Sequence, residues 1–240
     1  MSKCIIIPTF NEYENINFLL KEIHNQNLKD LKIVIVDDSE KNYEKNIDTK
    51  NNEIIYLYRG QKLGRGSAVL YGINHALKTY DNIELFIEMD ADMSHNPNEL
   101  VRNIIYFKEK NLDLLISSRY KKKSKIINWP LRRKILSFFS NKLSKFTLKV
   151  PITDYTNGYR IYSNNAGKFV VKNCGKIGDG YIVLSEILIQ LFYNKFKIDE
   201  IETIFVNRVR GTSNVTINEI LLSLIGLYKI WKEKNKIKQL

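Results

Sequence analysis

The sequence predicts an α/β fold, a mostly parallel central sheet flanked by helices. Three features of the chain lead there. Short apolar runs such as CIII (4–7), IVIV (33–36) and LFI (85–87) lack alternation, as strands buried on both faces do. Segments with apolar residues at helical spacing separate these runs, the strand–helix rhythm of a parallel sheet. The runs end in polar residues, Pro8–Glu12, Asp37-Asp38, Asp90–Asp92 and Ser118-Arg119, which a parallel sheet would gather at one edge.

The first strand is Lys3–Ile7, and Pro8 opens the loop that follows. Ile16, Leu19, Leu20 and Ile23 recur at helical spacing and predict a helix over Glu14–Asn27. Strands follow at Lys32–Val36 and Ile54–Tyr58. Ala68, Val69, Ile73 and Ala76 predict a helix over Gly64–Leu77. The apolar run 83–89 is the next strand, Asn98–Lys110 a helix, and Asp113–Ser117 another strand. Beyond Tyr120 the pattern changes. Lys121–Asn128 reads as a basic loop and Leu131–Phe146 as an amphipathic helix. Asp154–Arg160 is a turn feeding a short strand, Arg160–Tyr162. A helix over Gly178–Tyr193, a strand over Ile198–Val206 and a helix over Ile217–Trp231 complete the chain.

The 240 residues contain no Pro/Gly/Ser-rich linker and no repeat, so one domain over residues 1–240 is expected. Two scattered cysteines, Cys4 and Cys174, exclude a disulfide framework or a cysteine-based zinc site. The first apolar run is too short for a signal peptide, and no stretch reaches the roughly 18 apolar residues of a membrane span. A cytoplasmic protein is the expectation.

Two stretches carry chemistry. In MDADMSH, Asp90 and Asp92 stand one residue apart at the end of a strand. If the extended conformation persists to Asp92, both point the same way. Close carboxylates repel unless a cation lies between them, and a hard divalent ion serves that purpose. On spacing alone, a polar turn that caps the strand is an equal reading. The second stretch, Arg119–Lys149, holds eleven Lys or Arg and no Asp or Glu within a chain of formal net charge +12. Such a block suits nucleic acid, anionic lipid or a phosphorylated substrate, or is simply a solvated lysine-rich face. Its interleaved Ile126, Trp129, Leu131, Ile135, Phe138 and Phe139 favour a membrane surface. The final helix, with Leu224, Ile225 and Tyr228, docks on the sheet or joins that surface. Gly64-Arg65-Gly66 completes neither a P-loop nor a dinucleotide fingerprint and reads as a tight helix start.

The motifs PTFNE (8–12), VDDS (36–39), LGRGSA (63–68), MDADMSH (89–95), SSRY (117–120), WPLRRKILS (129–137), TNGYR (156–160) and NRVRGTSN (207–214) occur in this order. Together they resemble family 2 inverting glycosyltransferases of the GT-A fold. Within that family they look most like the dolichyl-phosphate (polyprenyl-phosphate) mannose synthase branch, in its short form without transmembrane helices. The resemblance implies transfer of mannose from GDP-mannose to a dolichyl or polyprenyl phosphate, with inversion at the anomeric carbon. It implies a nucleotide-sugar-binding half, 1–120, and an acceptor-binding half, 121–240.

It also assigns residues by matching position. Pro8, Phe10, Glu12, Val36 and Asp38 line the nucleoside pocket. Asp90 and Asp92 hold Mg²⁺ or Mn²⁺ on the donor diphosphate, and Ala91 lets the backbone pass close. Arg119, Arg133 and Ser137 bind the acceptor phosphate. Arg119 also counts with Asp90 and Asp92 as catalytic and with Arg208 as donor-binding. The acceptor phosphate is already anionic, so it needs orientation more than a general base, and His95 is structural. Phe10 stands where the family has Tyr, Ser94 where some relatives have Gln, Leu184 where many have Gln, and Asn214 where a lysine is expected at the donor phosphates. A UDP-glucose or UDP-N-acetylhexosamine donor is therefore the alternative. The implied location is peripheral, on the cytoplasmic face of the plasma or endoplasmic reticulum membrane, and a small membrane-anchoring subunit is among the partners the resemblance allows. A non-catalytic basic protein that binds nucleic acid is the rival from another class, and no nucleic-acid motif supports it.

Overall fold

The structure, a computed structural model, describes residues 2–48, 53–177, 182–207 and 217–237, the last segment with side chains for 224–234 only. Its strands are β1 (Ser2–Thr9), β2 (Leu31–Asp37), β3 (Ile54–Tyr58), β4 (Ile83–Glu88), β5 (Leu114–Ser118), β6 (Lys125–Ile127), β7 (Arg160–Ser163), β8 (Ile198–Glu202) and β9 (Ile204–Val206). The helices are α1 (Tyr13–His24), α2 (Arg65–Thr79), α3 (Leu100–Glu109), α4 (Leu131–Leu148), α5 (Asn164–Asn173), α6 (Ile182–Tyr193) and α7 (Ile217–Ile237). A seven-stranded sheet runs in the order β3-β2-β1-β4-β7-β5-β8, and β6 and β9 pair separately.

The expected α/β architecture with a mostly parallel sheet is the observed one. The exception is β7, which lies antiparallel between β4 and β5, with Ile87 opposite Ile161 and Glu88 opposite Arg160. This reversal matters for the site. An antiparallel strand starts where its neighbours end, so the loop 154–159 that leads into β7 joins the polar edge formed by the ends of β1, β2, β4 and β5.

Side-chain alternation divides the core between the two sheet faces. Cys4, Ile6 and Phe86 pack on one side with α2, α5 and α6; Ile5, Ile7, Leu85 and Ile87 pack on the other with α1 and α3. Where α5 crosses β4, a side chain at Gly167 would strike Phe86, so glycine sets the close approach.

Several boundaries differ from expectation, each for a local reason. The first helix ends at His24, and the chain turns at Asn27 with φ +51°. The strand expected over 198–206 breaks at Thr203. There Glu99 accepts the Thr203 hydroxyl at 2.6 Å and the Ile204 N–H at 2.8 Å. The basic loop 121–128 contains β6, which gains its order by pairing with β9. Helix α5 has no counterpart in the expected elements; Ser163 caps it by accepting the Ala166 N–H. The helix expected from Gly178 is described from Ile182 onward.

Candidate active site

The strand that carries the acidic motif ends at Glu88, and the extended conformation does not persist to Asp92 as the shared-face reading required. The chain turns instead. Met93 has φ +63°, and Asp92 Oδ1 accepts the Ser94 N–H at 3.0 Å. Asp90 and Asp92 therefore project from a tight turn whose interior is packed: Ala91, Ser94 and His95 are buried.

His95 holds this turn. Its Nδ1 accepts the Asp90 backbone N–H at 2.9 Å, which leaves Nε2 to donate to Asn157 Oδ1 at 3.1 Å. The ring stacks on Tyr159 and meets the edge of Phe205. Both ring nitrogens are thus engaged in structure. Asn157 continues the chain: its side chain donates to the Ser117 carbonyl, and its backbone N–H donates to Asp154 Oδ1 at 3.0 Å. Asp154 in turn grips Arg119. A buried hydrogen-bond chain, Asp90–His95–Asn157–Asp154–Arg119, joins the acidic turn to the basic half of the site.

Arg119 is 8% exposed. Its Nε and Nη2 donate to the two oxygens of Asp154 at 2.7 Å each, its backbone N–H donates to Oδ2, and Nη2 also reaches Thr156 Oγ1. Burial alone would push the Asp154 carboxyl up; the Arg119 guanidinium and the backbone donors outweigh it and hold the group below the usual carboxylate range. Glu200 anchors the same loop by accepting the N–H groups of Thr153 and Asp154.

Around Arg119 stand Tyr120, Trp129 and Phe205, with ring centroids 5.3–5.7 Å from its guanidinium carbon. Arg133 stacks on the same Trp129 ring at 4.2 Å, and its Nη1 donates to Asn207 Oδ1. Ser137 accepts the Tyr120 hydroxyl at 2.6 Å. Arg119 and Arg133 thus share the Trp129 ring, and Ser137 joins them through Tyr120. Among the described residues the buried Trp129 indole N–H has no hydrogen-bond partner.

Arg133 and Ser137 belong to the inward face of α4, which continues through the buried Asn141, Ser144 and Leu148. That face is mostly polar. The outward face carries the large apolar residues, with Arg132, Lys142 and Lys145 among them: Leu131 is 71% exposed, Phe139 65% and Phe146 81%, with Ile135, Leu136, Phe138 and Leu143 also exposed. Helix α4 is amphipathic in the inverted sense. Helix α7 packs beside it, with Lys234 donating to the Thr147 carbonyl, and exposes Leu224, Ile225, Tyr228 and Trp231. Among the described residues no helix is long and apolar enough to cross a membrane.

On the other flank, the loops after β1 and β2 are laced together. Asp38 N–H donates to Thr9 O, and Asn11 N–H donates to Ser39 Oγ. Pro8 and Val36 are buried in their strands; Phe10 lies beneath the Lys62 ammonium, and Glu12 accepts from Asn15. Asp38 receives Arg59 through two nitrogens, at 2.6 and 2.8 Å, and the Leu63 N–H. Every expected donor residue that is described therefore sits at this edge of the sheet. Arg208 and Asn214 lie outside the described residues.

Sequence reasoning passed over Arg65, Asp154 and Asn157. Arg65, at the start of α2, ion-pairs with both Glu88 and Asp90. The signal for it was present in LGRGSA, but only the fold shows what the arginine meets. Glu186 binds the N–H groups of Gly175 and Lys176, and burial raises its carboxyl above the usual range.

Comparison with known proteins bears on this edge directly. The family model for glycosyl transferase family 2 matches residues 4–168, which run from β1 into α5 and include the acidic turn and Arg119. The chain belongs to glycosyl transferase family 2. It is a glycosyltransferase, similar to the polyprenol monophosphomannose synthase of Mycolicibacterium smegmatis, with 30% identity over 221 residues, 90% of this chain and 82% of that protein. It is 32% identical to the dolichol-phosphate mannosyltransferase of Pyrococcus furiosus over 244 aligned positions, covering 99% of this chain and 66% of that one. Among solved structures it resembles glucosyl-3-phosphoglycerate synthase from Mycobacterium tuberculosis in complex with Mn²⁺, UDP-glucose and phosphoglyceric acid. The TM-score is 0.67 at 14% identity, over 98% of this chain and 80% of that one, a likeness of fold. The GT-A fold expected from the sequence is the one observed.

Proposed function

We propose that this family 2 enzyme transfers mannose from GDP-mannose to the phosphate of a polyprenol or dolichol at a membrane surface, with inversion. Two of its relatives are named polyprenol monophosphomannose synthase and dolichol-phosphate mannosyltransferase. The observation that supports the reading most is one junction. The acidic turn is tied by His95, Asn157 and Asp154 to an arginine–tryptophan cluster at the root of a helix whose apolar face looks outward.

The donor set of the turn suits Mg²⁺ or Mn²⁺. Asp90 and Asp92 offer hard carboxylate oxygens, and among the described residues no cluster of three His, Cys, Asp or Glu competes for the ion. Two protein carboxylates with the remaining positions left to phosphate is the usual arrangement for such cations on nucleotides. When bound, the cation supplies Lewis-acid stabilisation to the departing nucleoside diphosphate. Asp90 and Asp92 would hold it there, and Ala91 would keep the turn narrow. Pro8, Phe10, Glu12, Val36 and Asp38 form the nucleoside side of the crevice, and the resemblance assigns Arg208 to the diphosphate.

On the acceptor side, Arg119, Arg133 and Ser137 orient the lipid phosphate. Guanidinium forks suit that task, and the Trp129 N–H, which has no partner among the described residues, offers one more donor. Arg119 acts from a fixed position because Asp154 and three rings hold it. The phosphate oxygen attacks as an anion, so no side chain must remove a proton. The exposed apolar residues of α4 and α7, interspersed with Lys142, Lys145, Lys229 and Lys232, would rest on the bilayer that holds the acceptor.

Calorimetric titration tests the donor assignment. GDP-mannose should bind in Mg²⁺ or Mn²⁺ and weaken by at least tenfold in EDTA. Tighter cation-dependent binding of UDP-glucose or UDP-N-acetylhexosamine would move the assignment to a uridine sugar.

A further inference from the structure

Arg65 is the first residue of α2, preceded by Gly64 at φ +90°. Its side chain reaches across the polar edge and is 14% exposed. Nη1 donates to Glu88 Oε1, and Nε donates to Asp90 Oδ1 at 2.7 Å. Nη2 lies 2.6 Å from the same Asp90 oxygen. Glu88 is buried, and its second oxygen receives the Tyr162 hydroxyl at 2.7 Å. One guanidinium thus bridges the last residue of β4 and the first carboxylate of the acidic turn.

The surroundings are shaped for this arginine. A Cβ at Gly158 would overlap the guanidinium, so residue 158 must lack a side chain while Arg65 takes this path. A Cβ at Gly66 would collide with Val183, so glycine lets the start of α2 pack closely against α6. Gly158, from a separate motif, thus leaves room for the one basic side chain beside Asp90.

We propose that Arg65 is a built-in counter-cation of the acidic turn, a positioning residue that makes uptake of a divalent cation depend on a nucleotide diphosphate. The proposal rests on the reading of Asp90 and Asp92 as the cation site. With Oδ1 of Asp90 committed to Arg65, an incoming divalent ion meets a reduced negative charge and a fixed positive neighbour. A diphosphate brings the missing negative charge and the missing oxygen ligands. Cation and nucleotide therefore favour each other's binding, and by linkage the coupling is equal in both directions.

Electron paramagnetic resonance of free Mn²⁺, titrated against the full chain with and without GDP, tests this. Wild type should bind Mn²⁺ at least tenfold more tightly with GDP than without; equal affinity overturns the proposal. Arg65→Met should tighten Mn²⁺ binding in the absence of GDP by about tenfold and shrink the coupling accordingly. Gly158→Ala, which displaces the guanidinium but keeps its charge in the chain, should shift affinity the same way by a smaller factor. A folded Arg65→Met that binds Mn²⁺ alone no better than wild type overturns the proposal. Should that variant fail to fold by circular dichroism, an unchanged affinity in Gly158→Ala does so. Asp92→Asn separates the two readings. Loss of GDP-dependent Mn²⁺ binding there, with Arg65→Met unchanged, removes only the role of Arg65. Retained binding in Asp92→Asn removes the cation site and the proposal with it.

Discussion

Replacing Asp154 by Ala should unsettle the chain more than any change at an exposed carboxylate. The side chain is fully buried and accepts from Arg119 through the backbone N–H, Nε and Nη2, and from the N–H groups of Thr156 and Asn157. The variant leaves a guanidinium that is 8% exposed without its counter-ion. Removing one partner of a buried pair costs about 3–5 kcal/mol. At about 2–4 °C per kcal/mol for a chain of this size, that corresponds to a fall in Tm of roughly 6–20 °C. The pair also predicts a pH dependence. The Asp154 carboxyl is held below its ordinary value of 3.8, so its contribution is present above that pH and is lost as pH falls through the lower folded value. Urea unfolding followed by circular dichroism at pH 7 and at pH 3 measures both effects. Asp154→Asn should lose less stability than wild type between those conditions. A cost below about 1 kcal/mol for Asp154→Ala, or equal acid sensitivity in wild type and Asp154→Asn, would refute the view that this pair fixes Arg119.

Three other perturbations probe separate parts of the account. Asp92→Asn should lower sugar transfer by about a hundredfold or more, the scale of several kcal/mol of lost charge stabilisation, with an unchanged far-UV spectrum; near-normal rates would exclude it as a cation ligand. Phe139→Glu with Phe146→Glu removes two exposed aromatics from the outward face of α4. It should reduce sedimentation with anionic vesicles by roughly tenfold or more without changing Tm by over a few degrees, since burying each ring is worth about 1.5–3 kcal/mol. Glu186 has a raised carboxyl because of burial, so its ionisation destabilises the fold as pH rises through the folded value. Glu186→Gln should therefore gain stability relative to wild type between pH 4 and pH 7 in urea titrations, and a constant difference would count against the assigned cause.

The elements legible in the sequence are those whose burial is two-sided. β1, β2, β4 and β5 show as continuous apolar runs because helices cover both faces, and their polar ends foretold the edge where the site lies. The antiparallel entry of β7 was not legible, since nothing in RIYS records the direction of its neighbours. Helix α5 escaped notice because its contact with β4 depends on the small residues Ala166 and Gly167 rather than on a row of large ones. β6 is three residues in a lysine-rich loop and exists through its pairing with β9. In α4 the alternation of basic and apolar residues was visible, but not that the apolar side faces out while Asn141 and Ser144 face in. A supporting rather than catalytic His95 fits the structure, where both ring nitrogens have structural partners. Arg65 and Asn157 act across long sequence separations, so their partners follow only from the register of β4 against β7 and the placement of α2.

The acidic turn, the arginine–tryptophan cluster and the inverted helix converge on one claim, that sugar passes from a nucleotide to a lipid phosphate. The direct measurement is transfer of radiolabel from GDP-mannose, and in parallel from UDP-glucose and UDP-N-acetylhexosamine, into organic-extractable lipid in the presence of polyprenyl phosphate. The account predicts a labelled lipid phosphate from GDP-mannose that requires Mg²⁺ or Mn²⁺ and the acceptor lipid and is lost in Asp92→Asn. Absence of labelled lipid from every donor, in the presence of folded protein, cation and acceptor, would contradict it.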